Sequence, residues 1–202
     1  VVTVPRCLSS RPLASVWPWE VAFDGATRST PGGRVSGAGV VLWQIDAFGP
    51  PQCRALGFLA LPNGGSSPEA EAHGAELAVH VLTAISEGRH PRMTAESVIR
   101  RAHVRGDCTQ TIRYANAQAR MRVIDRRAPV DRAAETAWQQ GWGIRWQAIR
   151  RGHNGVAHQL ATAAAAWAAR LAGRGGVSPT QYVAWDGDAH DSPDGLQVPM
   201  PP

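Results

Sequence analysis

Apolar and polar residues alternate over "WEVAFD" (19–24), and the period of two predicts a strand. The run "TRSTPGG" has turn chemistry, and "GAGVVLWQI" (37–45) predicts a second strand. "DAFGPP" makes the next turn, and "QCRALGFLAL" (52–61) predicts a third strand. Three strands with short loops predict an antiparallel meander. After "PNGGSS" the period changes. Ala75, Ala78, Val79, Leu82 and Ile85 form one stripe of a helix over 68–86, with Ser67 as N-cap and Pro68 at the first helical position. Residues 98–106 predict a short strand ending at Asp107, and 108–121 a helix. "RVIDRRAPV" reads as a basic connector, 131–141 as a helix stopped by Gly, 142–151 as a fifth strand and 154–173 as an Ala-rich last helix. The order β-β-β-α-β-α-α-β-α predicts an α/β fold: a five-stranded mixed sheet, its first three strands antiparallel, with helices on its faces.

The 202 residues predict one domain, 18–174, after an irregular lead-in at 1–17 and before an acidic, Pro- and Gly-rich tail at 175–202 that is expected to be disordered. Apolar runs are too short to span a bilayer, and "VVTVPRCLSS" lacks the pattern of a secretion signal, so an intracellular, membrane-free protein is expected. The chain opens on Val, so it is expected to be a piece of a longer protein.

Charge sharpens the picture. All 21 basic side chains are Arg, which we read as coding bias. The tail holds Asp186, Asp188, Asp191 and Asp194 and no Arg, so the first 174 residues carry 21 Arg against 12 acids, a net charge of +9. A domain this basic favours a polyanionic partner. Cys7, Cys53 and Cys108 are odd in number and widely spaced, which predicts reduced thiols rather than a disulfide framework.

Against this background a carboxylate at the exit of an apolar strand stands out. Asp24 follows "VAF", Asp107 ends the fourth predicted strand in "VRGDC", and Glu76 lies mid-helix in "GAELAV". Singly, each has a bland reading: a turn Asp before Gly, a helix N-cap, a solvated surface Glu. Together, two strand-end Asp residues and one inward Glu are expected to converge beside the switch points of an α/β sheet. Three carboxylates that close repel unless a cation lies between them, and hard oxygen ligands suit Mg²⁺ or Mn²⁺.

Four blocks now resemble a known family. "AFDGA…GGRVSGAGVVLW", "EAHGAELAV", "VRGDCTQTIRY" and "IRRGHNGVAHQLATAA" are similar, in order and spacing over about residues 19–172, to type 1 ribonuclease H, closest to its plant-type and reverse-transcriptase-associated branch. The resemblance implies the ribonuclease H fold, two Mg²⁺ (or Mn²⁺) ions, and hydrolysis of the RNA strand of RNA–DNA hybrids. It implies Asp24, Glu76 and Asp107 as metal ligands. The family's fourth ligand is an Asp in an "N…AD.LA" block. Here Asn154 matches the Asn and His158 stands in place of the Asp, an arrangement that resembles Argonaute-type slicers. A catalytic domain of a retroelement polyprotein, monomeric and fused to a reverse transcriptase, is the leading expectation. The alternative is a non-catalytic ribonuclease H-like module that binds nucleic acid or scaffolds a particle.

In that context Arg120, Arg122, Arg126 and Arg127, which crowd the connector, become a phosphate-binding arm, with Asn154 as a further nucleic-acid contact. His73, Glu76 and His80 share a helix face but have no zinc-hydrolase spacing. Trp138, Trp142 and Trp146 are expected in the core.

Overall fold

The structure, a computed structural model, describes residues 2–4, 17–46, 49–90, 93–95, 98–176, 178–185, 190–192 and 195–198. Its strands are β1 (Val2–Val4), β2 (Trp19–Thr30), β3 (Gly33–Gln44), β4 (Gln52–Leu61), β5 (Arg101–Gly106), β6 (Gly143–Ala148), β7 (Thr180–Trp185), β8 (His190–Ser192) and β9 (Gly195–Val198). Its helices are α1 (Ser67–Ser86), α2 (Thr109–Ala115), α3 (Ile124–Gln139) and α4 (Gly155–Gly173). The main sheet runs β6-β5-β2-β3-β4-β7, and a small second sheet runs β1-β9-β8. β2, β3 and β4 form the antiparallel meander, while β5 and β6 lie parallel to β2. Among the described residues no helix is long and apolar enough to cross a membrane.

Helices cover both faces of the central strands, so β3 is buried over eight consecutive residues rather than alternately. On one face α1 sets Leu77, Val81 and Leu82 in one core with Val21, Phe23, Val40 and Leu42. α3 lies outside α1 and adds Ala133 and Ala137 to that core. On the other face α4 lays Ala157 and Leu160 on Ala22, Val41 and Leu56, and further along sets Ala164 and Ala168 with Val35 and Phe58. The Ala-rich sequence of α4 has a direct cause here. A Cβ on Gly39 would lie 2.4 Å from the Ala161 nitrogen, so helix and strand touch backbone to backbone.

Several expectations change. The β2–β3 hairpin extends past the predicted turn: Thr27↔Ser36 through Thr30↔Gly33 are paired, and only Pro31 and Gly32 form the turn. Asp24 is therefore mid-strand. What ends near it is the pairing with β5, whose last partner on β2 is Ala22. α3 begins at Ile124, inside the predicted connector, and carries Pro129 in its interior. The N-cap of α1 is Ser66 rather than Ser67, with the Ser66 N–H donating to the Glu69 carboxylate at 2.5 Å. The sheet has a sixth strand, β7, inside the stretch expected to be a disordered tail. It pairs antiparallel with β4 from Ala60↔Thr180 to Ala55↔Trp185 and buries Ala184. Residues 5–16 of the lead-in, and 186–189, 193–194 and 199–202 of the tail, lie outside the described residues. Trp142 and Trp146 are buried as expected, but Trp138 is 78% exposed on α3.

Candidate metal centre

The site starts from a close approach. A Cβ on Gly25 would lie 2.2 Å from the Glu71 nitrogen and 2.4 Å from the Ala70 carbonyl carbon. Only glycine lets the second turn of α1 rest on β2 there. The approach brings Glu71 beside Asp24. β5 ends at Gly106, and the chain turns at Asp107 into α2. One oxygen from each of Asp24, Glu71 and Asp107 then lies within 4.8 Å of the others. Asp24 is 2% exposed and Glu71 8%.

The electrostatics follow from this crowding. Burial, then the charge of Asp24, and then that of Asp107 push the Glu71 carboxyl up to about 10. Asp107 is also raised, by burial and by Asp24, while Arg151 pulls the other way. Glu71 Oε2 is buried without a hydrogen-bond partner. A cluster that resists full ionisation, with an unpartnered buried oxygen among hard oxygen donors, fits a divalent cation of the Mg²⁺ or Mn²⁺ class.

His158 joins from α4: its Nδ1 lies 2.6 Å from Asp24 Oδ2. The imidazole is half-exposed and faces a cleft of about 420 Å³ that also touches Arg28, Ser67, Arg151 and Thr162. Asp24 thus has a nitrogen partner in His158 as well as the two neighbouring carboxylates.

The helix carboxylate is a correction. Glu76 does not reach the cluster. Five residues beyond Glu71, it lies about 140° further around α1. There both its oxygens accept from Arg132 of α3, at 2.5 and 2.9 Å, and His73 lies 3.3 Å away. Burial raises its pKa, but the bonds from His73 and Arg132 outweigh this and hold it at about 2. Glu76 ties α1 to α3 instead. The sequence contains the signal for Glu71, because it extends the stripe Ala75, Ala78, Leu82 and Ile85 backward by one turn. A carboxylate on the apolar face of a helix is the exception that asks for a reason. Arg151, on a single 3₁₀ turn just before α4, is a further site residue that no local pattern marks.

The predicted nucleic-acid contacts divide. Arg120, Arg122 and Arg127 are exposed between α2 and the first turns of α3, and Arg126 is half-buried. Arg127 Nε donates to Asp131 at 2.9 Å, and the Tyr114 hydroxyl donates to the same carboxylate at 2.6 Å. Asn154 cannot serve as a surface contact. It is 1% exposed, and its Nδ2 donates to the Phe23 carbonyl at 2.8 Å, pinning the start of α4 to the residue before Asp24.

No protein-family model matches the chain, and no curated protein matches it significantly. Solved structures do. The ribonuclease H1 of the halophilic archaeon Halobacterium salinarum aligns with a TM-score of 0.56 at 22% identity, covering 72% of this chain and 96% of its own. The N-terminal ribonuclease H domain of a Mycobacterium tuberculosis protein aligns with a TM-score of 0.57 at 20% identity, covering 76% and 98%. LC11-RNase H1, solved in complex with an RNA/DNA hybrid, aligns with a TM-score of 0.59 at 18% identity, covering 74% and 98%. By its match to these structures, the chain has the fold of type 1 ribonuclease H.

Proposed function

We propose that this protein is a metal-dependent endonuclease of the ribonuclease H type that hydrolyses the RNA strand of RNA–DNA hybrids. The observation that carries the reading is the convergence of Asp24, Glu71 and Asp107 within 4.8 Å, in a fold shared with a ribonuclease H1 solved on such a hybrid. Asp24, Glu71 and Asp107 would hold the metal, with His158, which contacts Asp24, as a nitrogen ligand. Two bound divalent ions supply activation of the attacking water and stabilisation of the leaving 3′ oxygen.

The chain's own residues do the rest. Gly25 and the packing of α1 fix Glu71 against Asp24. Asn154 fixes the Phe23–Asp24 segment to α4, and His158 orients the Asp24 carboxylate from the next turn. Arg28 and Arg151 flank the cleft with positive charge suited to phosphates on either side of the cut. Arg120, Arg122 and Arg127 lie outward, where a duplex backbone is met. The scaffold reading rests on His158 replacing Asp. Yet a chain that no longer needed metal gains nothing from three mutually repelling carboxylates, and this favours catalysis. The resemblance of the blocks to the reverse-transcriptase-associated branch is what supports a place beside a reverse transcriptase.

The test is cleavage of a hybrid labelled on the RNA strand, with Mg²⁺, Mn²⁺ or EDTA. We expect internal cuts in RNA only, none in EDTA, and faster cutting in Mn²⁺ because imidazole suits it better than Mg²⁺. A folded protein that cuts with neither ion sinks the catalytic reading.

A further inference from the structure

A cavity of about 530 Å³ lies along β6, the edge strand of the main sheet, and none of its lining residues belongs to the carboxylate cluster. Alternation fixes which side chains β5 and β6 offer it. Ala102, Val104, Ile144 and Trp146 turn to the core shared with α1. The period of two sends His103, Arg105, Arg145 and Gln147 to the other face, where the pairing sets His103 beside Arg145 and Arg105 beside Gln147. α4 covers that face of β2, β3 and β4, but its core clusters include no residue of β5 or β6. The end of α2 meets β6 where Asn116 Nδ2 donates to the Trp146 carbonyl at 3.1 Å, and Arg113 of the same helix joins the lining.

The charge around this cavity is one-sided. Its lining holds three arginines, Arg105, Arg113 and Arg145, and no carboxylate. Glu20 of the neighbouring strand pairs with Arg105 and so neutralises one of them. Arg113 and Arg145 are exposed, and among the described residues neither makes an ion pair. Two unneutralised guanidiniums on separate elements around one recess suit successive phosphates of a chain. The His103 ring, packed edge to face with Trp17 at 5.2 Å, adds an aromatic surface. The exposed amides of Gln118 and Gln147 add groups that both donate and accept.

A row of phosphates, a ring and amides together match a nucleic-acid strand. Its path must turn from the sheet face, at Arg145, to α2, at Arg113. A duplex is stiff over about 150 base pairs, whereas a single strand follows a basic groove by its backbone. We infer that this cavity binds a single strand of nucleic acid, with phosphates on Arg113 and Arg145 and a base against His103. β5 and β6 end at the pair Gly106↔Ala148, and Asp107 follows, so the bound strand lies beside the metal centre. An unpaired overhang of a hybrid would supply such a strand, and for that source alone the inference rests on the nuclease reading.

The test is fluorescence anisotropy of the full chain with a labelled single-stranded oligouridylate in EDTA, where binding is read without cleavage. A strand of about twelve nucleotides spans a site of this kind. We expect saturable binding that inorganic phosphate at equal charge does not displace. Arg113→Gln with Arg145→Gln should lower the log–log salt slope by about 0.7 for each arginine, so that between about 50 and 200 mM salt the parent loses about sevenfold more affinity than the variant. Arg170→Gln with Arg174→Gln, exposed at the far end of α4, changes net charge equally and should leave the slope as in the parent. Thermal melts confirm that both variants fold. Absent oligouridylate binding by the parent, displacement by phosphate alone, an unchanged slope in the Arg113 and Arg145 variant, or an equal drop in the Arg170 and Arg174 variant would each overturn the assignment. Hybrid cleavage is read separately, so a parent that binds the strand but cuts no hybrid sinks the nuclease reading and leaves this site standing.

Discussion

Gly25→Ala adds one methyl group, and the structure gives its consequence. The new Cβ would lie 2.2 Å from the Glu71 nitrogen, 2.4 Å from the Ala70 carbonyl carbon and 2.8 Å from the Glu71 Cα. All three are backbone atoms of α1, so no rotamer change relieves the clash. Carbon contacts settle near 3.5–4.0 Å, so α1 must withdraw by about an ångström. That helix carries Leu77, Val79, Val81, Leu82 and Ile85 into the core. Overpacking of this kind costs about 1–3 kcal/mol, which in a chain of this size lowers Tm by about 2–12 °C. The same movement lifts Glu71 from Asp24, and a misplacement of about 1 Å at a reacting centre costs about 100-fold in rate. Thermal melting and hybrid cleavage read the two effects. Gly173→Ala is the control, because a Cβ there meets no atom within 4 Å. A Gly25→Ala protein that melts with the parent and cuts within twofold of it would refute the claim that the close approach at Gly25 builds the site.

Three further outcomes follow from the geometry. Arg132→Met should destabilise the fold at pH 7 by about 1–2 kcal/mol, a figure reduced for the exposure of Arg132. Because Glu76 is depressed from 4.5 to about 2, the stability it contributes is present above pH 4.5 and lost as pH falls toward 2, so parent and variant denaturation midpoints should converge over that window. Replacing Arg120, Arg122 and Arg127 together with Ala should flatten the salt dependence of hybrid binding, by about 0.9 in log–log slope for each phosphate left without its Arg; an unchanged slope places this arm away from the hybrid. Truncation after Gly176 removes β7, bares the β4 edge and uncovers the packing of Ala184, Tyr182 and Trp185. A loss of about 2 kcal/mol, hence about 4–8 °C in Tm, is expected, and an unchanged melt would show that β7 contributes no stability.

The parts of the fold legible in the sequence are those whose cause is local. β4 is legible to the residue, because Pro and Gly bound it on both sides. α1 and α4 announce themselves by period and composition. β7 escapes a local reading because "TQYVAW" sits among Pro, Gly and Asp, and its reason to be a strand is the β4 edge about 120 residues earlier. The start of α3 is hidden by Pro129 and by the Arg run, both of which argue locally for a connector. At the site, Asp24, Asp107 and His158 are visible as departures from local pattern; the structure sets Asp107 in one cluster with Asp24, and His158 against Asp24. The helix carboxylate is misplaced by a local reading because "GAELAV" puts Glu76 amid apolar residues, a count of neighbours in sequence. What decides is direction around the helix, and there Glu71 faces the sheet while Glu76 faces α3. Asn154 shows the same limit: its match to the family's Asn implies a nucleic-acid contact, and only its burial and its bond to Phe23 reveal it as a tie within the fold.

The central claim is that Glu71, with Asp24 and Asp107, holds the metal that cuts RNA. Glu71→Gln and Glu76→Gln, compared side by side with the parent protein on a hybrid labelled in the RNA strand, test it most directly. Both changes keep volume and remove one carboxylate, so their contrast isolates position. Losing one metal ligand is worth several kcal/mol, so Glu71→Gln should cut at least about 100-fold more slowly in saturating Mg²⁺ or Mn²⁺. Glu76→Gln, whose parent side chain meets Arg132 and His73, should turn over within about threefold of the parent below its melting temperature. The opposite pattern, with Glu76→Gln inactive and Glu71→Gln cutting normally, would contradict the account.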